Sequence, residues 1–553
     1  MDSTYFLRNL PNQATCPSKI FVNQVGYFTG ARKRAIIVKP TSKFYVNNLL
    51  GFRCYEGKVT YDGTDQNSGD LIYIADFSEF TMEGYYYLST EEGETSFPFQ
   101  IRSSLYEPVL FDTMRAFYYL RCGCELSKAY AGEYIHKECH TGKAVLWEDR
   151  TKEKEVTGGW HDAGDYGRYV TAGACTVAHL LYSCLLFPKA LNSLDLNLPD
   201  STAKMPDILT ECKYELQWLL KMQREDGAVY HKVTTEKHAP FVMPEEDKEQ
   251  LYLFPISSIA TADFAAVCAL AARVYQKFLP TFSETLLRAA KKAGDWLSNH
   301  PEFLGFRNPK GCNTGEYGEP TDVDNRFWAW AELFAATGEK EYHLSMKKSL
   351  EEDFALTDFG YVYVGGLGAL SYLMCERPSC EESIKAMFRS EFIQKAEALK
   401  EIANRCGYGV AMETKDFTWG SNMNVMKRGM NFIIADWLEG ENRFADYAMS
   451  ELHYLLGVNA TGYSYVTGTG TFRCNHPHLR PAYADGVEEC IPGMVSGGPN
   501  GHPCDEDAKL LLPEGTPPMK CYVDDVGCYS LNEVAIYWNS PTVFVLAYAC
   551  TLA

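Results

Sequence analysis

No stretch of this chain offers ~18 consecutive apolar residues, so nothing in the sequence reads as a membrane span. The first residues, MDSTYFLRNLPNQATCPSK, lack the basic stretch and continuous apolar run of a secretory leader. Basic residues are in deficit. Against 72 Asp and Glu stand 52 Lys and Arg, a formal charge of −20 whose field repels phosphate backbones and anionic membrane surfaces. Nucleic acid and membrane are therefore excluded as partners. Short repeats, low-complexity tracts and long like-charge blocks are also missing. The 19 cysteines are odd in number and run from Cys16 to Cys550 without a compact framework, which suits reduced thiols. A cytoplasmic location is expected; a secreted one would require a leader trimmed from this sequence.

What is present is an ordinary globular composition, 46% apolar and 22% charged. The chain of 553 residues exceeds what one core organises, so two domains are expected. The first hundred residues read as β. Short runs (IFVNQVGY, RAIIVKP, LIYIADF, GYYYLST, FPFQIR) alternate with Gly, Asn, Asp and Ser clusters at the spacing of a small sandwich. A boundary is expected in the segment Arg102–Pro108. Beyond it MPDILTECKYELQWLLKMQ carries Ile208, Leu209, Cys212, Leu216, Leu219 and Leu220 at helical spacing. Further helices are expected to begin near Ser257, Ser283, Asn325, Glu341, Ser383 and Asn424, and after Leu531. Long Gly/Pro/Asn-rich loops separate them, above all Gly457–Val523. An all-α region of this size suits a barrel of paired helices, which periodicity alone does not establish.

Three segments carry candidate chemistry. In GGWHDAGDYGRYV, residues 158–170, Asp162 and Asp165 stand three apart before an apolar run; were that turn helical, both carboxylates would share one side. An N-cap with acidic first-turn residues is the competing reading. In CYVDDVGCYSLNEVAIYWNSP, Glu533 lies among Tyr522, Tyr529 and Trp538, where lost hydration favours a protonated carboxyl; a glutamate satisfying a helix dipole reads equally well. The loop SYVTGTGTFRCNHPHLRP is glycine-rich, yet has no GK[ST] and cradles no nucleotide.

Together these segments resemble glycoside hydrolase family 9, the inverting cellulases. Asp162 and Asp165 match its DAGD element. Tyr522, Asp524, Tyr529, Glu533, Ala535 and Asn539-Ser540 match its C-terminal pattern. Ser464, Val466, Thr467, Gly470, Pro477, His478 and Arg480 match its middle loop, with a departure at Phe472, where the family usually carries a polar or basic residue. PFVMPEEDKEQLYLFPISSIATADFAA and DNRFWAWAELFAATG extend the resemblance over nearly the whole chain, and NQVGY is similar to the immunoglobulin-like module of one branch. The implied fold is an immunoglobulin-like β-sandwich over residues 1–103, followed by an all-α (α/α)6-barrel catalytic domain over residues 104–553.

The resemblance implies that Asp165 activates a water as general base with Asp162 as its partner, while Glu533 protonates the departing glycosidic oxygen. An inverting pair of this kind stands ~6.5–9.5 Å apart. His478 and Arg480 match sugar-contacting positions; His231 and Trp538 read equally as cleft residues or as core packing, and Trp419 is a weaker cleft candidate. Asp524 reads as a supporting or purely structural group. Cys122, Cys139, His140 and His161 form a C-x16-C-H-x20-H set whose two thiolates and two imidazoles suit a closed, structural zinc. By spacing alone they are equally ordinary buried residues; the branch has zinc at matching positions. Calcium is also expected of the family, with no ligands named here. The expected substrate is a soluble β-1,4-glucan or cello-oligosaccharide cleaved internally, and no organic cofactor is implied. The alternative is an exo-acting β-glucosidase or exo-β-glucosaminidase, its cleft narrowed by the Phe472 loop and the GHPCDEDAKLLLPEGTPPMK insertion. A catalytically dead sugar-binding protein is disfavoured by the three intact carboxyls, and a zinc-dependent regulator by the absent basic surface. Oligomeric state is not legible.

Overall fold

The computed structural model describes residues 16–552. They group into two compact units, one of residues 16–116 with 396–552, the other of 117–395.

The first unit opens with eight strands: β1 (Ile20–Phe21), β2 (Gly26–Phe28), β3 (Arg34–Ile37), β4 (Lys43–Asn48), β5 (Arg53–Thr64), β6 (Leu71–Asp76), β7 (Gly84–Thr90) and β8 (Phe99–Arg102). Their order is β1-β3-β6-β5-β4-β7-β8-β2, antiparallel except for β2 against β8. β5 makes this a sandwich. Its first half pairs with β4 and its second with β6, with a register shift between Tyr61 and Gly63, so one strand serves both sheets. Inward residues of both sheets, among them Ile37, Phe44, Val46, Ala75, Leu88 and Ile101, form one core. β5 is not legible in the sequence because it is exposed along most of its length and carries little apolar alternation.

The NQVGY motif proves to be a polar clamp. Gln24 donates through Nε2 to the carbonyls of Gly462 (2.9 Å) and Phe472 (3.0 Å), and its Oε1 accepts from the amides of Thr471 (2.9 Å) and Phe472 (2.7 Å). Four hydrogen bonds from one side chain tie a loop without regular structure to the sandwich. In the same unit the helix Ser421–Glu439 packs on Ala445–Leu455 and Ile536–Ala549. Gly429 permits the approach, since a Cβ there would lie 2.9 Å from Val545.

In the second unit the helices Val170–Leu186, Ser258–Tyr275, Val323–Thr337 and Gly365–Met374 pack each on the next. They are apolar nearly all round and almost wholly buried. Asp207–Met222, Pro280–Asn299 and Lys340–Ser349 pack against them; Pro280–Asn299 buries a stripe of Leu286, Ala289, Ala290, Ala293 and Leu297. Helices were expected near most of these positions. Gly365–Met374 was not, because GGLGALSYLM has low helix propensity; Gly368 is there for contact, a Cβ meeting Phe327 at 2.7 Å. The helix Ser258–Tyr275 is, by length and composition, long and apolar enough to cross a membrane, and 94% of it is buried inside the protein. A small second sheet completes the unit: β9 (Ala144–Leu146), β10 (Glu153–Lys154), β11 (Arg168–Tyr169), β12 (Lys232–Thr234) and β13 (Tyr252–Leu253), in the order β10-β9-β13-β12-β11.

Each unit buries a glutamate that its surroundings neutralise. Burial pushes Glu451 and Glu215 from the ordinary 4.5 up to about 8, although Glu451 accepts from the amide of Ala411 and Glu215 from that of Trp160. The folded protein thus holds protons that the unfolded chain releases above pH 4.5. The stability they contribute is complete below that pH and is lost as pH rises through about 8. Melting temperature is therefore expected to fall across that window, and Glu451→Gln to flatten the fall; an unchanged pH dependence in the variant would assign it to other groups.

Candidate active site

The 158–170 segment is not helical, so the shared helix face considered from sequence is not how its carboxylates are arranged. Residues 163–166 are a chain of bends that leads into β11, and the helix begins only at Val170. Backbone pairing fixes the entry, with Cys122 N–H donating to Gly159 O (2.8 Å) and His161 N–H to Leu120 O (2.7 Å). Asp162 N–H closes the turn on Gly167 O at 3.0 Å. Trp160 anchors it from behind, its indole N–H donating to Glu211 (2.8 Å) and its amide to Glu215 (2.7 Å). Gly159, at φ 78°, lets the chain pass Trp218, which a Cβ would meet at 2.8 Å.

Both aspartates are nearly buried and surrounded by donors. Asp165 Oδ2 accepts from Gly167 N–H (3.0 Å) and Tyr169 O–H (3.1 Å), with His238 Nδ1 at 3.5 Å. Asp162 Oδ2 accepts a short hydrogen bond from Tyr317 O–H. The rings of Tyr169 and Tyr317 lie 4.4 Å apart and Tyr361 follows at 4.9 Å, an aromatic wall beside the carboxylates. Burial and Asp162 push the Tyr361 phenol up to about 12, so it remains a donor. Tyr317 was missed from sequence. It sits at φ 51° on a loop, and no spacing rule connects it to position 162.

Two expected cleft residues are corrected. His231 is fully buried; its Nδ1 bonds Ser257 Oγ (2.8 Å), its Nε2 meets Glu316 O (3.0 Å), and its ring stacks on Phe306 at 4.0 Å. Burial pushes it down to about 3, and neither nitrogen is left for a sugar. Trp538, 3% exposed, is packed against Gly420 and Gly497 as a core residue. The exposed aromatic of that region is the weaker candidate Trp419, whose ring lies 5.4 Å from Tyr529.

Glu533 stands not at the start of the last helix but at the end of the short helix Tyr529–Asn532, three residues before Ile536–Ala549. Its backbone is tightly held, with Gly497 N–H donating to its carbonyl (2.8 Å) and a parallel bridge to His478, whose own N–H donates to Asn532 O (2.8 Å). His478 is half-buried, its Nδ1 donating to Val526 O at 2.6 Å; Arg480 is buried at the start of Arg480–Ala484. Asp524 accepts from the amides of Asn475 (2.9 Å) and His476 (3.0 Å) and from Asn532 Nδ2 (3.0 Å). It fixes the middle loop against the residue preceding Glu533. Phe472, the departure in that loop, stacks on Phe97 of the sandwich at 5.6 Å and lies against Tyr463 at 4.1 Å, which accounts for an apolar residue there. The insertion is pinned at both ends: Asp505 accepts from Ser530 N–H (3.0 Å), and Lys520 pairs with Asp70 (2.6 Å).

Cys122, Cys139, His140 and His161 come together, their candidate ligand atoms all within 4.8 Å of one another. His161 Nε2 and His140 Nδ1 are 3.3 Å apart, the edge expected of a tetrahedron with metal–nitrogen arms of about 2.0 Å. Asp247 stands 3.3 Å from the other nitrogen of His140, the carboxylate–imidazole support usual behind a metal ligand. Nothing in the spacing of the sequence joined Asp247 to this set.

The family model described as glycosyl hydrolase family 9 matches residues 106–546, and that described as cellulase N-terminal ig-like domain matches residues 16–95. A cellodextrinase of Butyrivibrio fibrisolvens is 44% identical over 546 residues, covering 96% of this chain and 99% of its own. A thermostable endoglucanase of Alicyclobacillus acidocaldarius, solved as a single mutant, superposes with a TM-score of 0.91 at 36% identity, over 97% of this chain and 100% of that one. A zinc-binding triple mutant of the family 9 endoglucanase J30 gives 0.89 at 35% identity, over 94% and 99%. The chain belongs to glycosyl hydrolase family 9, with an N-terminal immunoglobulin-like sandwich followed by the family's (α/α)6-barrel domain, and is a hydrolase of β-1,4-glucans.

Proposed function

We propose that this enzyme cleaves β-1,4-glucosidic bonds in soluble glucans and cello-oligosaccharides with inversion, Asp165 acting as general base and Glu533 as general acid. The observation that carries the proposal is the 162–165 carboxylate pair, buried in a turn and met by hydroxyl and amide donors. A carboxylate accepts such bonds in its ionised form, the form that can take a proton from water. Asp162, held by Tyr317, orients that water. Glu533, on a half-buried and firmly held backbone beside His478, delivers a proton to the departing oxygen. His478 and Arg480 contact the sugar. A short, soluble substrate is supported by the cellodextrinase named above, which matches this chain along almost its full length. A cytoplasmic setting with reduced thiols, and a domain boundary at 103/104, belong to the same proposal.

One observation favours a second reading, exo-action. The insertion begins against Ser530, three residues before Glu533, and ends on the sandwich at Asp70, so it is a braced wall rather than a free loop. Products from cellohexaose and from a glucosamine oligomer, resolved by anomer over time, decide between the two. Mixed short cello-oligomers in the α configuration are expected; monosaccharide alone from the start would establish the exo-enzyme. Asp165→Asn and Glu533→Gln should each lower turnover by roughly 10²–10⁴-fold with the fold intact. Near-wild-type turnover in either would overturn the assignment.

Zinc in the Cys122, Cys139, His140 and His161 set is likewise proposed. Four protein ligands leave no position for water, so its role is to brace the turn that His161 shares with Asp162. Chelation is expected to lower melting temperature before it lowers turnover, and elemental analysis showing no zinc in carefully prepared protein would sink the proposal.

A further inference from the structure

We propose that Lys232 is a positioning residue of the hydrolytic site, its ammonium locking the 306–317 loop so that Tyr317 is held on Asp162. The inference rests on the reading of Asp162 and Asp165 as the base apparatus. An ammonium has three N–H donors, and all three here go to one loop: Asn308 Oδ1 (2.7 Å), Thr314 Oγ1 (2.9 Å) and Gly315 O (2.6 Å). Tyr317, two residues on, carries the hydroxyl that bonds Asp162. The neighbouring His231 grips the same loop through Glu316 O and the Phe306 ring, which gives that buried histidine its purpose.

The same strand also registers the catalytic turn. β12 pairs with β11, Lys232 opposite Tyr169 and Val233 opposite Arg168, and Tyr169 is the donor to Asp165. One strand thus sets where both carboxylates find their phenolic partners. The loop needs such restraint. Tyr317 is held at φ 51°, a left-handed conformation that costs a non-glycine residue energy and persists only when its surroundings over-determine it. Its neighbour Gly315 passes so close to Tyr169 that a Cβ would lie 3.1 Å from the hydroxyl.

A lysine is an expensive way to fill this space. Lys232 is fully buried among Tyr169, Phe254 and Phe306, and burial pushes it down to about 8, still charged at neutral pH. An apolar residue would avoid that desolvation. What it would not do is tie three separate acceptors of an irregular loop to a strand.

The test is a double-mutant cycle on cellohexaose with Lys232→Met, Tyr317→Phe and the double variant, reading kcat and KM separately. Each single change should lower kcat by roughly 10–100-fold, the scale of a small misplacement, with KM moving by less than about 3-fold. The double variant should be no worse than Tyr317→Phe alone, because both act through one contact. Should Lys232→Met not fold, Thr314→Val removes a single acceptor and enters the same cycle with a smaller effect in the same direction. Effects that multiply in the cycle, while Asp165→Asn is inactive, would overturn the role given to Lys232 and leave the base assignment standing. Near-wild-type turnover of Asp165→Asn would instead remove the base assignment and this inference with it.

Discussion

The turn that carries Asp162 and Asp165 has neither a helix nor a ladder of its own, and everything proposed for it depends on the buried Arg121–Glu211 pair behind Trp160. Arg121 meets Glu211 through Nε at 3.0 and 3.1 Å and through a terminal nitrogen at 2.8 Å, and Glu211 takes the Trp160 indole N–H as well. Burying both charges costs several kcal/mol per ion before their attraction is counted, so such a pair is a poor device for stability. Its value here is geometric. Glu211 and Glu215 lie one turn apart on Asp207–Met222 and grip the side chain and the amide of Trp160 respectively, so a helix with fixed geometry dictates where an irregular segment starts.

The other ties bracket that anchor. Cys122 and His161, two members of the candidate metal set, sit on the two backbone segments that pair across Gly159 and Leu120, so any ion they hold would staple this pairing from one side. Tyr169 and Tyr317 approach the carboxylates from the other, along β11 and the loop over β12. A turn held at its entry, its back and its mouth can present two carboxylates without relying on local propensity, which for GGWHDAGDYG is weak.

This division explains what was legible in the sequence. The amphipathic helices announce themselves because their period is local, Ile208, Leu209, Cys212, Leu216 and Leu219 recurring at helical spacing; Asp162 and Asp165 share one motif, but their roles, like the metal set, follow from the family resemblance rather than from spacing. Tyr317, Lys232 and Asp247 carry no such mark, since each matters only through partners far away in the chain: Asp162 for Tyr317, Thr314 and Gly315 for Lys232, His140 for Asp247. The same cause misdirected the reading of His231 and Trp538. Histidine and tryptophan suit sugar contact and core packing alike, and here both are satisfied in the core, one by Ser257 and Glu316, the other by close glycines. β5 escaped because an exposed strand serving two sheets shows no clean alternation.

The N-terminal sandwich restrains the Glu533 side of the proposed site in the same manner. The loops that follow Gly457 contain His478 and Arg480 and lead to Glu533, and over most of their length they lack regular structure. Backbone groups in such a loop need partners from elsewhere. Gln24 supplies four bonds at 462–472, Phe97 supplies a stacking face to Phe472, and Asn67 accepts Met519 N–H where Asp70 meets Lys520. A sandwich is well suited to this, because its strands are rigid and its connecting loops are free to vary. Phe472 then stops being an anomaly within the family pattern: a polar residue there would face the Phe97 ring, whereas phenylalanine extends the apolar surface of the sandwich into the loop. The module that carries no carboxylate of the proposed reaction thereby fixes the backbone that presents its acid.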